Sequence, residues 1–233
     1  MPVITVSRQL GSGGSYIATQ VARELGLRYL DREIVQRAAE IAEGSSAELE
    51  ADLERAESVP DLVNRILYAL ASMPTIPLVP SATLREPPYI FDETTQTWVM
   101  LSAGRDTSIN YVNLIRRVIE EFAREGNAII VGRGGHIVLA DQPHVFRVLI
   151  IAPFEQRVRT VMERMQLSER QAIRRVEQSD RERAEYLKRY YGVSWLDPQH
   201  FDLVINTGKI SVELACRLIC AAVQAHCEGE TVA

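Results

Sequence analysis

The chain has 233 residues, 46% of them hydrophobic, enough to bury one sizeable core with room for a small subdomain. Its 26 basic and 31 acidic residues leave a net charge of −5, which excludes a nucleic-acid binder held by bulk positive charge. No apolar run approaches the ~20 residues of a membrane span, and the start MPVITVSRQLGSGG lacks an export signal, so a cytoplasmic protein without a membrane partner is expected.

VITV (Val3–Val6) reads as a first strand, followed by a Gly/Ser-rich turn and a helix with Ile17, Val21, Ala22 and Leu25 on one face, stopped at Gly26. LRYLD (Leu27–Asp31) reads as a second strand and residues 32–42 as a helix. Strand, glycine loop, helix, strand is the opening of an α/β fold with a parallel sheet. Residues 40–61 carry eight acids against Arg55 and suit a helix with a solvated face. Residues 59–72 read as an apolar helix. Pro74, Pro77, Pro80, Pro87 and Pro88 then impose an irregular excursion, because proline fixes φ and removes a donor. FDETTQTWVML suits a hairpin. Residues 44–106 are therefore expected to form an insertion between two parts of a core, 1–43 and 107–233.

A helix is expected from Ser108 to Glu125, stopped by Gly126-Asn127. AIIVG (Ala128–Gly132) and VFRVLIIA (Val145–Ala152) are continuous apolar runs, the pattern of strands covered on both faces. Residues 154–190 read as two charged helices and FDLVIN (Phe201–Asn206) as a fifth strand. Ser211 is expected to cap a last helix holding Cys216, Cys220 and Cys227 as small core residues.

The first candidate site is Gly11-Ser12-Gly13-Gly14-Ser15, between the first strand and its helix. Backbone N–H groups and a helix N-terminus make such a loop fit a phosphate chain. Against the phosphate-loop pattern GxxxxGK[ST], Gly13 and Ser15 match, but Arg8 stands for the first glycine and Gly14 for the lysine. All basic residues but Lys188 and Lys209 are arginine, so the missing cation falls to an arginine, and Arg8 is the nearest. Arg133, inside VGRGG, is expected at the same sheet edge, as is Arg37 on the helix after Asp31. Arg174, Arg175, Arg181 and Arg183, with Asp180 spaced to pair with Arg183, would furnish a lid over about 168–195. Positioned cations and excluded water are what phosphoryl transfer requires. His136, His144, His200 and His226 form no metal spacing.

The stretches ITVSRQLGSGGSYIA, LGLRYLDREIV, AIIVGRGG and SDRERAEYLKRYYG with FDLVINT together resemble the cytidylate kinase-like family, within the P-loop nucleoside monophosphate kinases. The resemblance covers nearly the whole chain in outline. It implies an α/β/α three-layer core with a five-stranded parallel sheet, a helical acceptor-binding insertion and an arginine-rich lid. It implies that Gly11 and Gly13 match later glycines of the family's loop. Asp31 and Arg37 match its acceptor-phosphate segment, Gly132 and Arg133 its GRD turn, and Asp180 and Arg183 its lid DxxR. The expected activity is transfer of the ATP γ-phosphoryl group to a nucleoside monophosphate, CMP or dCMP. ATP would bind through Gly11, Ser12, Gly13, Gly14, Ser15 and Tyr16 with Arg174 and Arg175, and Ser15 and Asp31 would hold Mg²⁺. Arg37, Arg133, Asp31 and Asp180 would hold the acceptor, and Arg8, Arg133, Arg181 and Arg183 the transferring group. The absent lysine, Gly134 in place of the GRD acid, Val131 where an acid would end the third strand, and the rebuilt 73–100 insertion with Tyr89 and Trp98 leave two further readings open. One is a nucleotide-binding regulatory protein without transfer; the other is a kinase of another small phosphate acceptor. The apolar helices at 59–72 and 109–122 leave open a homodimer.

Overall fold

The computed structural model describes residues 2–34, 36–38, 89–92, 97–100 and 105–230. Five strands form one parallel sheet: β1 (Val3–Arg8), β2 (Arg28–Leu30), β5 (Ala128–Val131), β6 (Val145–Ile151) and β7 (Leu203–Asn206). Their spatial order is β2-β5-β1-β6-β7. Every residue of β1 and β5 is buried, which explains why β5 reads as an unbroken apolar run and β1 opens as a β-branched one. Helices α1 (Gly14–Leu25) and α6 (Val212–Glu230) cover one face, where Ile17, Val21, Ile219 and Val223 join Ile4, Val6, Val148 and Ile150 in one core. On the other face the short α3 (Gly135–Val138) places His136 Nδ1 3.0 Å from Ser7 Oγ. α2 (Arg105–Glu125) adds buried Ile115, Val118 and Ile119.

The register levels the strand ends. Val6 pairs with Val131 and Arg8 with Ile150. The chain crosses to β2 and β5 on one side of β1, then to β6 and β7 on the other. Ligands of open α/β sheets bind at such a switch point, beyond the carboxyl ends of the strands. β1 also runs two residues past the expected VITV, because β6 continues to pair with Ser7 and Arg8. Arg8 is thus a strand residue rather than a loop residue.

α4 (Phe154–Met165) and α5 (Glu169–Tyr191) form a helical hairpin. Its turn is made by Gln166 at φ 53° and by Ser168, which exchanges a capping box with Gln171. Val158, Val161, Ala172 and Val176 form its own small core, onto which Leu10 packs. The expected lid segment is therefore mostly one unbroken helix, seated on α4 and on the glycine loop. Ser211 Oγ accepts from Leu214 N at 3.2 Å, capping α6 as expected. Cys216 and Cys220 are buried in the main core, and burial pushes the Cys220 thiol up to about 12. Arg147 fastens the segment before β6. Its Nη2 donates to the carbonyls of Leu139 (2.7 Å), Ala140 (2.6 Å) and Gln142 (2.9 Å).

The contacts divide the chain into two units, Met1–Ile34 with Ile115–Ala233, and Val35–Leu114. Within the second, β3 (Tyr89–Asp92) and β4 (Thr97–Met100) form the expected antiparallel hairpin, Tyr89 opposite Met100 and Asp92 opposite Thr97. The rest of the expected insertion, including the helix at 59–72 and the proline-rich excursion, lies outside the described residues, except Arg105 and Asp106 at the start of α2.

Candidate active site

The glycine loop is closed by its own polar groups. Ser12 Oγ donates to Gln9 O (2.8 Å) and accepts from Gly14 N (3.4 Å). Thr207 Oγ1 donates to Ser12 O (2.8 Å), and Ala152 N donates to Gln9 Oε1 (3.0 Å), pinning the loop to the ends of β7 and β6. The buried Ser12 side chain thus shapes the loop, and what it can offer a ligand is backbone. Gly13, at φ 78°, caps α1 with no side chain, and a Cβ there would meet nothing within 4 Å among the described residues. The N-terminus of α1 is open at that point, which suits an anion. Tyr16 is exposed beside it.

Arg8 is buried, and its side chain crosses the loop. Its Nε donates to Ser15 Oγ (3.3 Å) and its Nη2 to Asp31 Oδ2 (3.3 Å). A Cβ on Gly14 would lie 2.5 Å from Arg8 Cβ, and one on Gly132 would collide with Arg8 Nη1. The two departures from the phosphate-loop pattern are therefore one steric fact. Any residue but glycine at position 8 brings a Cβ that leaves no room for one at position 14. Desolvation lowers the Arg8 pKa, and Asp31 opposes that shift. Tyr29, which sequence reasoning missed, has its phenol next to Ser15 and Thr19. Burial raises its pKa, and Asp31 raises it further. Its place in a three-residue strand carries no signal of that role.

Among the described residues, the buried Asp31 Oδ1 has no hydrogen-bond partner. A carboxylate oxygen of this kind beside Ser15 Oγ fits Mg²⁺, which takes one or two protein oxygens and completes its shell with water and phosphate.

The VGRGG turn follows β5. Gly132, Arg133 and Gly134 have φ of 79°, 58° and 72°. For a non-glycine residue the left-handed region costs about 1 kcal/mol or more. Arg133→Gly is therefore expected to raise stability by roughly 1 kcal/mol in urea unfolding while lowering turnover at least tenfold. Turnover at the wild-type level would remove Arg133 from the site.

On the hairpin, Asp180 lies in the field of Arg183, three residues on, and also finds a partner across the helix pair. Arg157 on α4 takes both Asp180 oxygens, Nη1 to Oδ1 at 3.0 Å and Nη2 to Oδ2 at 2.8 Å. The pair ties the two helices of the hairpin together. Arg183 donates to Ser179 O (3.2 Å) and to Ser179 Oγ, and lies over the Trp195 ring, 5.9 Å from its centroid. Burial, and then the neighbouring charge of Arg8, push Arg183 down to about 9, so it remains charged at neutral pH. Arg175 and Glu182 lie within its field. Arg8 in turn feels Arg133.

Arg8, Arg133, Arg175 and Arg183 thus share one electrostatic neighbourhood with Ser15 and Asp31. Arg174 and Arg181 do not join it. Both are exposed, and at 100° per residue they fall on the side of α5 opposite Ala172, Val176 and Ser179. Arg37 is exposed in the second unit. Sequence reasoning gave Arg157 no role. Its signal was a charge three residues after Phe154 and four before Val161, on the apolar face of α4, where only a partner makes it tolerable.

The family model described as cytidylate kinase-like matches residues 3–209. A cytidylate kinase of Staphylothermus marinus is 28% identical over 117 residues, which is 50% of this chain and 64% of that protein. A uronate isomerase of Corynebacterium glutamicum is 33% identical over 91 residues, 39% of this chain and 18% of that protein. The chain thus spans less than two thirds of the length of either curated relative. The crystal structure of an uncharacterized protein from Eubacterium ventriosum has the same fold, with a TM-score of 0.61 over 96% of this chain and 99% of that one at 19% identity.

Proposed function

The chain belongs to the cytidylate kinase-like family, and from that premise we propose that it transfers the γ-phosphoryl group of ATP to a nucleoside monophosphate, CMP or dCMP first among the acceptors. The observation that carries this reading is that Arg8, whose Nη1 abuts the Gly132 turn, lies in the field of both Arg133 and Arg183, from separate stretches of chain, beside a glycine loop open at Gly13. The amides at the start of α1 bind the polyphosphate. Arg8 takes the place of the loop lysine, neutralising charge that builds on the bridging oxygen. Arg183 and Arg133 stabilise the transferred group and the acceptor phosphate. Ser15 and Asp31 hold Mg²⁺, which when bound neutralises the phosphate oxygens. No general base is required, because positioning and charge account for most of the catalysis in this chemistry.

A second reading has its own support. Arg8 already holds both Ser15 and Asp31, an arrangement that also suits a protein that binds nucleotide without transferring phosphate. One experiment separates the two. The protein is incubated with ATP, Mg²⁺ and a panel of nucleoside monophosphates, and ADP formation is followed by a coupled assay. A diphosphate product from CMP or dCMP is expected. Thermal stabilisation by ATP with no turnover of any acceptor, at stoichiometric protein, would establish the binding protein instead. Turnover of an acceptor outside the panel, read by product mass, would identify a kinase of different specificity.

A further inference from the structure

We propose that Arg157 is a positioning residue that registers the α4–α5 hairpin on the glycine loop, so that Arg183 stands ready beside the phosphate site without a swing of the hairpin. The inference rests on the kinase reading of that site. Its observations form a continuous chain of contacts from the loop to Arg183.

The first link is backbone against backbone. Gly11 has φ 82°, and a Cβ on it would lie 2.5 Å from the Arg157 carbonyl oxygen and 2.8 Å from Arg157 Cα. Loop and α4 therefore touch without an intervening side chain, and Leu10 packs into the hairpin core next to them. The second link is the bidentate pair of Arg157 with Asp180, whose side chains are 5% and 27% exposed. Two parallel bonds between planar groups fix both the rotation and the sliding of α5 along α4, which a single bond to an ammonium does not. The third link is adjacent in sequence. Ser179, buried next to Asp180, receives Arg183 on its carbonyl and its hydroxyl. A displacement of α5 by one ångström would carry Arg183 with it, and misplacements of that size cost up to about a hundredfold in rate.

The test is a mutant cycle between positions 157 and 183. Arg157→Lys keeps the charge but loses the fork. It is expected to lower kcat about tenfold and to weaken ATP binding several-fold, because Arg183 loses its place beside the phosphate site. In an Arg183→Ala background the same change is expected to have almost no further effect. Asp180→Asn should repeat the pattern, and circular dichroism melts confirm that the variants compared are folded. A parallel cycle reads ATP affinity by calorimetry and needs no turnover. There too, a loss from Arg157→Lys should vanish once Arg183 is absent. Multiplicative losses in both cycles, the signature of independent structural damage, would overturn the positioning role. Wild-type protein that binds ATP but phosphorylates nothing defeats the kinase reading, and the affinity cycle still decides the role of Arg157. Wild-type protein that binds no ATP overturns both.

Discussion

Arg8→Ala is expected to lower kcat/KM for phosphoryl transfer at least tenfold, roughly 1.4 kcal/mol of transition-state stabilisation. The sharper result comes from exchanging the two unusual positions. Gly14→Lys alone restores the phosphate-loop lysine but drives its Cβ to 2.5 Å from Arg8 Cβ and 3.1 Å from Arg8 Cγ. Arg8 Cβ is held by the strand and cannot swing aside, so about 1–3 kcal/mol of stability is lost to overpacking. Arg8→Gly with Gly14→Lys removes the collision and places a cation on the other side of the same loop. The double variant should melt higher than Gly14→Lys and turn over faster than Arg8→Ala. Steady-state kinetics and thermal melts of the set decide the matter. A double variant no better than either single change would show that the two positions are not coupled. Turnover unchanged in Arg8→Ala would remove the guanidinium from the mechanism.

Between pH 6.5 and pH 4 the protein is expected to lose about 3 kcal/mol of stability through His136 alone. The residue is 2% exposed, stacked on Phe201 with ring centroids 4.6 Å apart, and bonded through Nδ1 to Ser7. Burial first, then the nearby His200 and Arg147, push its pKa down from 6.5 to about 3. In that interval the unfolded chain binds a proton at this site and the native protein does not. Stability therefore falls as pH falls, by about 1.4 kcal/mol per unit, and the full contribution is present only above 6.5. His136→Gln keeps a partner for Ser7 and does not titrate. Its urea-unfolding free energy should decline less steeply than that of the wild type, the difference growing by about 1.4 kcal/mol per pH unit below 6.5. Contributions from groups common to both proteins cancel in that difference. Parallel curves would show that His136 gains its proton without unfolding the site.

The sequence by itself determined the sheet. Ala128–Val131 is apolar throughout, and Val3–Val6 and Val145–Ile151 are interrupted only by Thr5 and Arg147, a pattern of strands covered on both faces. The glycines at 11, 13, 132 and 134, placed just after such strands, marked the turns, because the chain there must take φ values that other residues resist. Local rules of this kind act over a few residues and are written in consecutive letters.

Only the tertiary structure decided which arginines meet. On α5, Arg175 and Arg183 lie near the buried side while Arg174 and Arg181 face water, a division set by which stripe of the helix packs on α4. The bidentate partner of Asp180 is Arg157, 23 positions away, because two antiparallel helices bring those side chains together. The coupling of Arg8 to Gly14 is a contact across the end of a strand. Guanidiniums have long reach and nearly equal local preferences. Their pairing is decided by where desolvated carboxylates and carbonyls come to rest, which no run of neighbouring residues records.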